Sequence, residues 1–284
     1  MAIFTNQATL SYNNTTTTSN IVTGEIIEVL SATKNALEQD YTYGDTVTYA
    51  ISIINSGTAA FNNLTLTDNL GAYVVGTSTV TPLTYVDGSV NYYADGVLQA
   101  TPTVTSTAPL TITGINVPAG GNALVLYVAR VNEYAPLAAA STITNTAVIS
   151  GTGLTNSISV SDTITITNAA QLSITKSITP ETVAENGQLT YTFVIQNTGN
   201  TAAVATDNVT VTDLFNPILE NITVTLNGTA LTEGPQYVYS ETTGLFQTVA
   251  GIITVPAATY TQDPTTGQWT ITPGTAVLTV TGTV

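Results

Sequence analysis

The chain of 284 residues contains no cysteine and no histidine. Without cysteine it has no disulfide, no thiol nucleophile and no thiolate metal site. Histidine is the commonest general base and metal ligand, so its absence excludes Ser-His-Asp and Cys-His catalysis within this chain. A carboxylate-only glycosidase and a calcium site are the remaining alternatives, but the nine Asp and nine Glu are scattered and form no Asp-x-Asp-x-Asn-Gly loop. We therefore expect no metal, no cofactor and no turnover of an external substrate.

Basic residues are almost missing as well. Lys34, Arg130 and Lys176 stand against 18 acidic residues, which gives a net charge of −15. Three basic side chains cannot build a basic patch, so we expect no nucleic-acid partner. No run of 18 apolar residues is present, so we expect no membrane insertion. The N-terminal segment 1–7 has neither a basic region nor an apolar stretch, and no classical signal peptide is visible.

The residues that are abundant indicate the fold class. Thr, Val, Ile, Asn and Gly dominate, and no long segment shows a 3.6-residue apolar period, so the chain is predicted to be all-β. Its length suits about two domains of roughly 140 residues each. Short apolar runs alternate with Asn-x-Gly and Pro-Gly turns, a pattern typical of β-sandwiches.

An internal repeat organises the chain. Residues 44–57 align with residues 187–199, and the segment Leu30–Lys34 aligns with Leu172–Lys176. The only two lysines therefore occupy equivalent positions. Since a solvated β-protein uses lysine freely on its surface, the retention of lysine at just these two positions calls for a chemical reason.

Each repeat continues from its lysine through an Asn-x-Gly turn to a Thr-Asp pair that ends at Asp68 or Asp213. This block, over Lys34–Leu70 and Lys176–Pro217, resembles the conserved repeat domain of unknown function that recurs in bacterial surface proteins. The resemblance implies two immunoglobulin-like sandwiches. Bacterial surface domains of this broad kind include some with acid-promoted Lys-Asn isopeptide bonds, so it also suggests a search for such bonds.

The two repeats differ in their last strand. The first ends with an apparent strand at 141–150, whereas the second reaches the end of the sequence before the equivalent position. Thr5–Ser11 repeats Thr144–Ser150, so the N-terminus carries the expected counterpart. We predict an N-terminal donor strand and linker at 1–27, a first sandwich at 28–168 and a strand-deficient second sandwich at 169–284.

An open sandwich exposes unpaired backbone that a strand from another subunit can fill. The donor strand would present one of its faces to the groove. That face carries Phe4, Asn6, Ala8 and Leu10. The polar linker 13–20 spans only about 25 Å, too little to carry the donor strand round the first domain. We therefore predict head-to-tail donation between identical subunits, a contact that does not close and so produces a filament.

Side-chain alternation places each lysine, each aspartate and each candidate asparagine on the apolar face of its strand. The predicted sets are Lys34, Asp68 and Asn145 within the chain, and Lys176 and Asp213 with Asn6 of a neighbouring subunit. Burial favours a neutral amine and a protonated carboxyl, so the amine can attack the asparagine carbonyl with help from the acid. Ammonia leaves, and a Lys34–Asn145 or Lys176–Asn6 cross-link remains. Each site reacts once, so the protein is not an enzyme in the usual sense.

Two alternatives stay open. A buried Lys-Asp salt bridge capped by an asparagine would use the same residues without a covalent bond. At the level of function, the leading prediction is a structural subunit of an extracellular filament, such as a pilus or a spore appendage. The alternative is a surface adhesin or ligand-binding module whose segments 73–107 and 227–268 supply binding loops.

Overall fold

The computed structural model describes residues 2–284, and Met1, the first residue of the predicted N-terminal segment, lies outside them. Within that range the chain forms 28 strands and one short 3₁₀-helix (Ala205–Asp207), so the predicted all-β class is confirmed. Two compact units are present. Unit 1 comprises the chain through Pro136 together with Thr142–Thr165, and unit 2 comprises Leu137–Ser141 and Ile166–Val284. The sequence-derived boundaries at 27/28 and 168/169 remain proposals.

The N-terminal segment folds as a long hairpin. Its strands are β1 (Ala2–Asn6), β2 (Thr9–Tyr12), β3 (Thr15–Thr18) and β4 (Val22–Ile26). β2 pairs with β3 and β1 with β4, both antiparallel. Asn13 and Asn14 have φ of 45° and 63°, as a two-residue hairpin turn requires. The expectation of an extended polar linker at 13–20 was therefore wrong, because most of this segment is the returning arm of the hairpin.

Besides the N-terminal hairpin, unit 1 contains two facing six-stranded sheets and one short hairpin. Its strands are β5 (Leu30–Ala36), β6 (Asp40–Tyr41), β7 (Thr46–Asn55), β8 (Phe61–Asp68), β9 (Tyr73–Val75), β10 (Ser78–Val80), β11 (Leu83–Tyr85), β12 (Asn91–Ala94), β13 (Val97–Leu98), β14 (Thr103–Thr107), β15 (Leu110–Val117), β16 (Asn122–Val131), β17 (Thr142–Ser150) and β18 (Ile158–Ile166). One sheet has the order β13-β12-β16-β7-β5, with β11 also on β16, and the other has the order β14-β15-β8-β17-β18-β6.

Alternation along the strands builds the core of unit 1. In β7, Val47, Tyr49, Ile51 and Ile53 are buried while the residues between them are more exposed. β8 lies between β15 and β17, and Asp68 at its end is opposite Ala147 of β17. Both edges of β8 are therefore occupied by neighbouring strands.

Unit 2 repeats this plan incompletely. Its strands are β19 (Leu172–Thr179), β20 (Gln188–Asn197), β21 (Thr212–Leu214), β22 (Glu220–Leu226), β23 (Thr229–Ala230), β24 (Tyr237–Tyr239), β25 (Leu245–Thr248), β26 (Thr259–Gln262), β27 (Trp269–Thr272) and β28 (Gly274–Thr283). A five-stranded sheet has the order β19-β20-β28-β22-β23, a three-stranded sheet has the order β21-β25-β24, and β26 pairs with β27.

The two units differ most at β21, the repeat counterpart of β8. β21 pairs with β25 on one side, and no strand among residues 2–284 pairs with its other edge. In unit 1 that position is filled by β17, which in turn pairs with β18. The second sandwich therefore lacks a counterpart of the β17–β18 hairpin within the described chain, in agreement with the predicted strand-deficient domain.

Candidate cross-linking sites

Lys34 and Asp68 meet between the two sheets of unit 1. Lys34 Nζ lies 2.5 Å from Asp68 Oδ2, and both side chains are fully buried. The ammonium also lies 4.6 Å from the centroid of the Tyr49 ring, within cation–π range. Desolvation by burial lowers the pKa of Lys34 to about 8, although the carboxylate of Asp68 acts in the opposite direction. The site therefore brings the lysine much closer to its neutral, nucleophilic form.

Asn145 joins the same buried cluster through Tyr127. The Asn145 Nδ2 group donates to the Tyr127 hydroxyl at 2.9 Å, and that hydroxyl donates to Asp68 Oδ2 at 2.6 Å. Asn145 Oδ1 accepts from the backbone N–H of Gly71 at 3.2 Å. The second Asp68 oxygen accepts from the backbone N–H of Leu70 at 2.9 Å. The predicted lysine, aspartate and asparagine are thus brought together, while their cross-link remains a prediction.

The turn after β8 shapes this site. Leu70 and Gly71 have positive φ of 53° and 72°, which turns the Gly71 N–H toward β17. The Asn69 side chain ties the turn to that strand, since its Oδ1 accepts from Thr146 N at 2.9 Å and from Gly71 N at 3.0 Å. A Cβ at position 71 would lie 2.6 Å from Ile143 Cγ2, so glycine is required for space as well as for conformation.

Tyr127 was not found by the sequence analysis. It lies on β16 directly opposite Tyr49 on β7, and the two rings stack at 5.4 Å. The Tyr49 ring in turn lies against Lys34. The sequence signal for Tyr127 was its position in the alternating pattern of apolar residues along β16. This pattern predicts that the side chain is buried, but not which residues it contacts. In the β20–β28 ladder the residue opposite Tyr191 is Val280, so unit 2 has no equivalent hydroxyl.

Unit 2 reproduces the lysine-aspartate pair in a more open setting. Lys176 and Asp213 form an ion pair, and Lys176 Nζ lies 4.3 Å from the Tyr191 ring centroid. Their side chains are 40% and 18% exposed, compared with 0% for both partners in unit 1. The expectation of a buried Lys176 therefore does not hold within the single chain. The physical reason is the free edge of β21, where no described strand covers the pair.

The predicted donor residues lie on the N-terminal hairpin. Phe4, Asn6, Ala8 and Leu10 are all exposed. Asn6 is opposite Val22 in the β1–β4 ladder, and the Phe4 ring occupies the space over Gly24, which has no Cβ. The Lys176–Asn6 cross-link joins two chains and remains a prediction.

Residues 2–284 contain no group of three or more acidic, histidine or cysteine residues that could hold a metal ion. Nor does the described chain include a helix long and apolar enough to cross a membrane. An open groove is lined by Tyr92, Gln99 and Thr103 of the predicted loop segment 73–107 and by Asn116, among others. The Tyr92 hydroxyl already donates to the Asn116 carbonyl.

No protein-family model matches the chain, and no curated protein matches it in sequence. Solved structures similar to it include BcpA, the major pilin subunit of Bacillus cereus, at 13% identity and a TM-score of 0.36, covering 96% of this chain and 73% of that one. The pilus backbone RrgB from Streptococcus pneumoniae matches at 12% identity and a TM-score of 0.34, covering 86% and 54%. A collagen-binding domain from a Staphylococcus aureus adhesin matches at 13% identity and a TM-score of 0.30, covering 48% and 97%. The chain thus spans about half of the RrgB structure, and its structural neighbours include bacterial pilin and surface adhesin domains.

Proposed function

We propose that this protein is a structural subunit of a self-assembling extracellular filament, such as a pilus or a spore appendage. Subunits join head to tail by β-strand donation, and Lys-Asn isopeptide bonds form within and between them. One observation carries the proposal. The free edge of β21, beside the Lys176–Asp213 pair, corresponds to the position that β17 fills in unit 1.

The N-terminal hairpin fits this position by sequence and by form. Thr5–Ser11 repeats the sequence of Thr144–Ser150 in β17, and each segment is the first arm of an antiparallel hairpin. Asn145 is opposite Asp162 in one hairpin, and Asn6 is opposite Val22 in the other. We therefore propose that the whole hairpin of residues 2–26 is donated, and that it stands in for both β17 and β18.

The repeat alignment predicts the register of the donated hairpin. In unit 1, Asp68 is opposite Ala147. The counterparts of these two residues are Asp213 and Ala8, so Ala8 is predicted to lie opposite Asp213 of the next subunit. Asn6, two residues earlier on the same face, would then approach Lys176 as Asn145 approaches the cluster around Lys34.

Burial of apolar side chains would drive the docking. Phe4 and Leu10 on the hairpin are 50% and 62% exposed, and Leu172 and Ile174 on β19 are 41% and 53% exposed. Each large apolar side chain that becomes fully buried contributes roughly 1.5–3 kcal/mol, less in proportion for one that starts half-buried. New backbone hydrogen bonds along the β21 edge would fix the register.

The same chemistry would complete both cross-links. The lysine passes a proton to its aspartate, the neutral Nζ attacks Cγ of the asparagine, and the C–N bond of the carboxamide breaks. The products are a secondary amide and one ammonia. In unit 1 all groups come from one chain, whereas in unit 2 the donated strand would both supply Asn6 and exclude water from Lys176.

Denaturing gels of assembled protein test the covalent bonds. After boiling in detergent, the wild type should give a ladder of oligomers, and Asn6→Ala or Lys176→Ala should reduce it to monomer. Asn20→Ala, on the returning arm of the same hairpin, is the matched control and should keep the ladder. Asn145→Ala should keep the ladder while each subunit regains the mass of one ammonia. A wild type that runs as monomer with no mass deficit would refute both cross-links.

A turn variant tests donation of the hairpin. Replacing Asn13 and Asn14 by proline is incompatible with their positive φ, so it should break the hairpin while leaving residues 2–12 unchanged. Glycine at both positions is the control and should preserve assembly. We expect fibres in negative-stain images of the glycine variant and few in the proline variant. Fibres from both would mean that a single strand suffices, and isolated wild-type monomers would favour the adhesin alternative.

A further inference from the structure

We propose that Tyr127 is a catalytic residue of the Lys34–Asn145 reaction, in which it protonates the departing amide nitrogen. The backbone N–H of Gly71 stabilises the carbonyl oxygen as it gains charge. The inference rests on the proposed cross-linking function, because it assigns further groups to the intrachain reaction.

The orientation of the Asn145 amide is the first support. Gly71 N–H can only donate, so the atom of Asn145 that faces it must be the oxygen. The nitrogen consequently faces Tyr127, at 2.9 Å from the hydroxyl. The group that must leave is thus in contact with Tyr127, while the oxygen that must gain charge is in contact with a backbone donor. The Gly71 N–H also donates to Asn69 Oδ1, at 3.0 Å. A shift of charge onto the Asn145 oxygen would strengthen the hydrogen bond that Gly71 already donates to it.

The Tyr127 hydroxyl also connects the leaving group to a source of protons. It donates to Asp68 Oδ2 at 2.6 Å, and Lys34 donates to the same oxygen at 2.5 Å. A proton that starts on Lys34 can therefore reach the Asn145 nitrogen through Asp68 and Tyr127. Burial raises the pKa of Tyr127 well above its ordinary value, so the hydroxyl keeps its proton until one is needed.

The steps balance in atoms and charge. Lys34 first transfers a proton to Asp68, and the neutral Nζ forms a bond to Cγ of Asn145 while the carbonyl electrons move to Oδ1. Tyr127 then gives its proton to the amide nitrogen, the electrons on Oδ1 re-form the carbonyl bond as the C–N bond breaks, and Tyr127 takes a proton from Asp68. The new amide nitrogen returns its extra proton to Asp68. One secondary amide and one ammonia result, and neither an oxidant nor a reductant takes part.

The second repeat lacks the tyrosine hydroxyl. The counterpart of Tyr127 is Val280, which has no hydroxyl. The counterpart of Gly71, three residues after the aspartate, is Asn216, which keeps a backbone N–H. The relay is therefore specific to unit 1, and we expect the interchain bond to form more slowly after docking than the intrachain bond forms after folding.

Cross-linking kinetics of Tyr127→Phe test the proposal. The variant keeps the ring that stacks on Tyr49 and loses only the hydroxyl. Samples from a cell-free synthesis would be denatured at intervals, and intact mass would report the loss of ammonia. We expect the reaction to be slowed by about 100-fold or more, as for the loss of a general acid. Tyr41→Phe is the matched control, since its buried hydroxyl donates to the Pro136 carbonyl at 2.6 Å, and it should react at the wild-type rate.

A second variant separates acid catalysis from packing. A ring-fluorinated tyrosine placed at position 127 keeps the hydrogen bonds but makes the hydroxyl more acidic, so the reaction should be severalfold faster than the wild type. A wild-type rate in Tyr127→Phe, or in the fluorinated protein, would overturn the role of Tyr127 and leave the cross-link itself standing. Failure of the wild type to lose ammonia would instead refute the proposed function.

Discussion

Loss of the aspartate should destabilise the two units very differently, although both aspartates pair with a repeat-equivalent lysine. The comparison is Asp68→Ala with Asp213→Ala, each made in Asn145→Ala so that no intrachain cross-link obscures stability. Lys34 and Asp68 are fully buried, and removing one partner of a buried pair costs about 3–5 kcal/mol. Lys176 is 40% exposed, so water replaces much of the lost interaction and the cost is about 0–1 kcal/mol.

Differential scanning calorimetry checks this contrast. For a unit of this size, 1 kcal/mol corresponds to a Tm shift of about 2–4 °C. Asp68→Ala should therefore lower the Tm of unit 1 by roughly 6–20 °C, while Asp213→Ala should change that of unit 2 by less than about 4 °C. Hydrogen exchange of peptides from β8 and β21 would assign each transition to its unit. Equal shifts, or a larger shift for Asp213→Ala, would refute the argument from burial.

Two further predictions follow from the site in unit 1. In Asn145→Ala, stability against urea should rise from about pH 8 toward pH 10.5, because the folded state loses the Lys34 proton near pH 8 whereas the unfolded state keeps it up to its ordinary value of 10.5; a flat or falling profile would contradict the lowered pKa. Gly71→Ala should lower the Tm more than Gly88→Ala. Both glycines have φ near +72°, but only at position 71 would a Cβ lie against Ile143. Equal decreases in Tm would show that the Ile143 side chain can move aside without loss of stability.

The repeat and the alternation of side chains were sufficient to predict the meeting of Lys34, Asp68 and Asn145. Alternation placed each residue on an apolar face, and a buried polar group needs a partner. Three such groups on three strands of one sandwich leave few arrangements other than a shared cluster. Tyr127 escaped the prediction because its role depends on the register between β16 and β7. That register joins residues far apart in sequence, and no local pattern specifies it.

The N-terminal hairpin was missed for a different reason. The polar run Thr15–Thr18 was interpreted as a linker because it contains no apolar residue. Threonine is β-branched and favours strands even where no core is available, and Asn13 and Asn14 readily adopt the positive φ of a two-residue turn. The prediction thus gave more weight to the polarity of these residues than to their preference for a strand and a tight turn. The alternation of side chains could not predict the exposure of Lys176. It assigns a side chain to one face of a strand, but it does not show whether another strand packs on that face.

Burial provides a physical reason why two equivalent lysines would react at different times. Lys34 is enclosed as soon as unit 1 folds, so desolvation and the acid act on it at once. The Lys176 side chain is 40% exposed, so water still surrounds part of it. Docking of a hairpin would remove that water and supply the asparagine in the same event. The second site would therefore be unreactive toward incidental amides and become reactive only when a correctly registered subunit is in place, which links the covalent step to assembly.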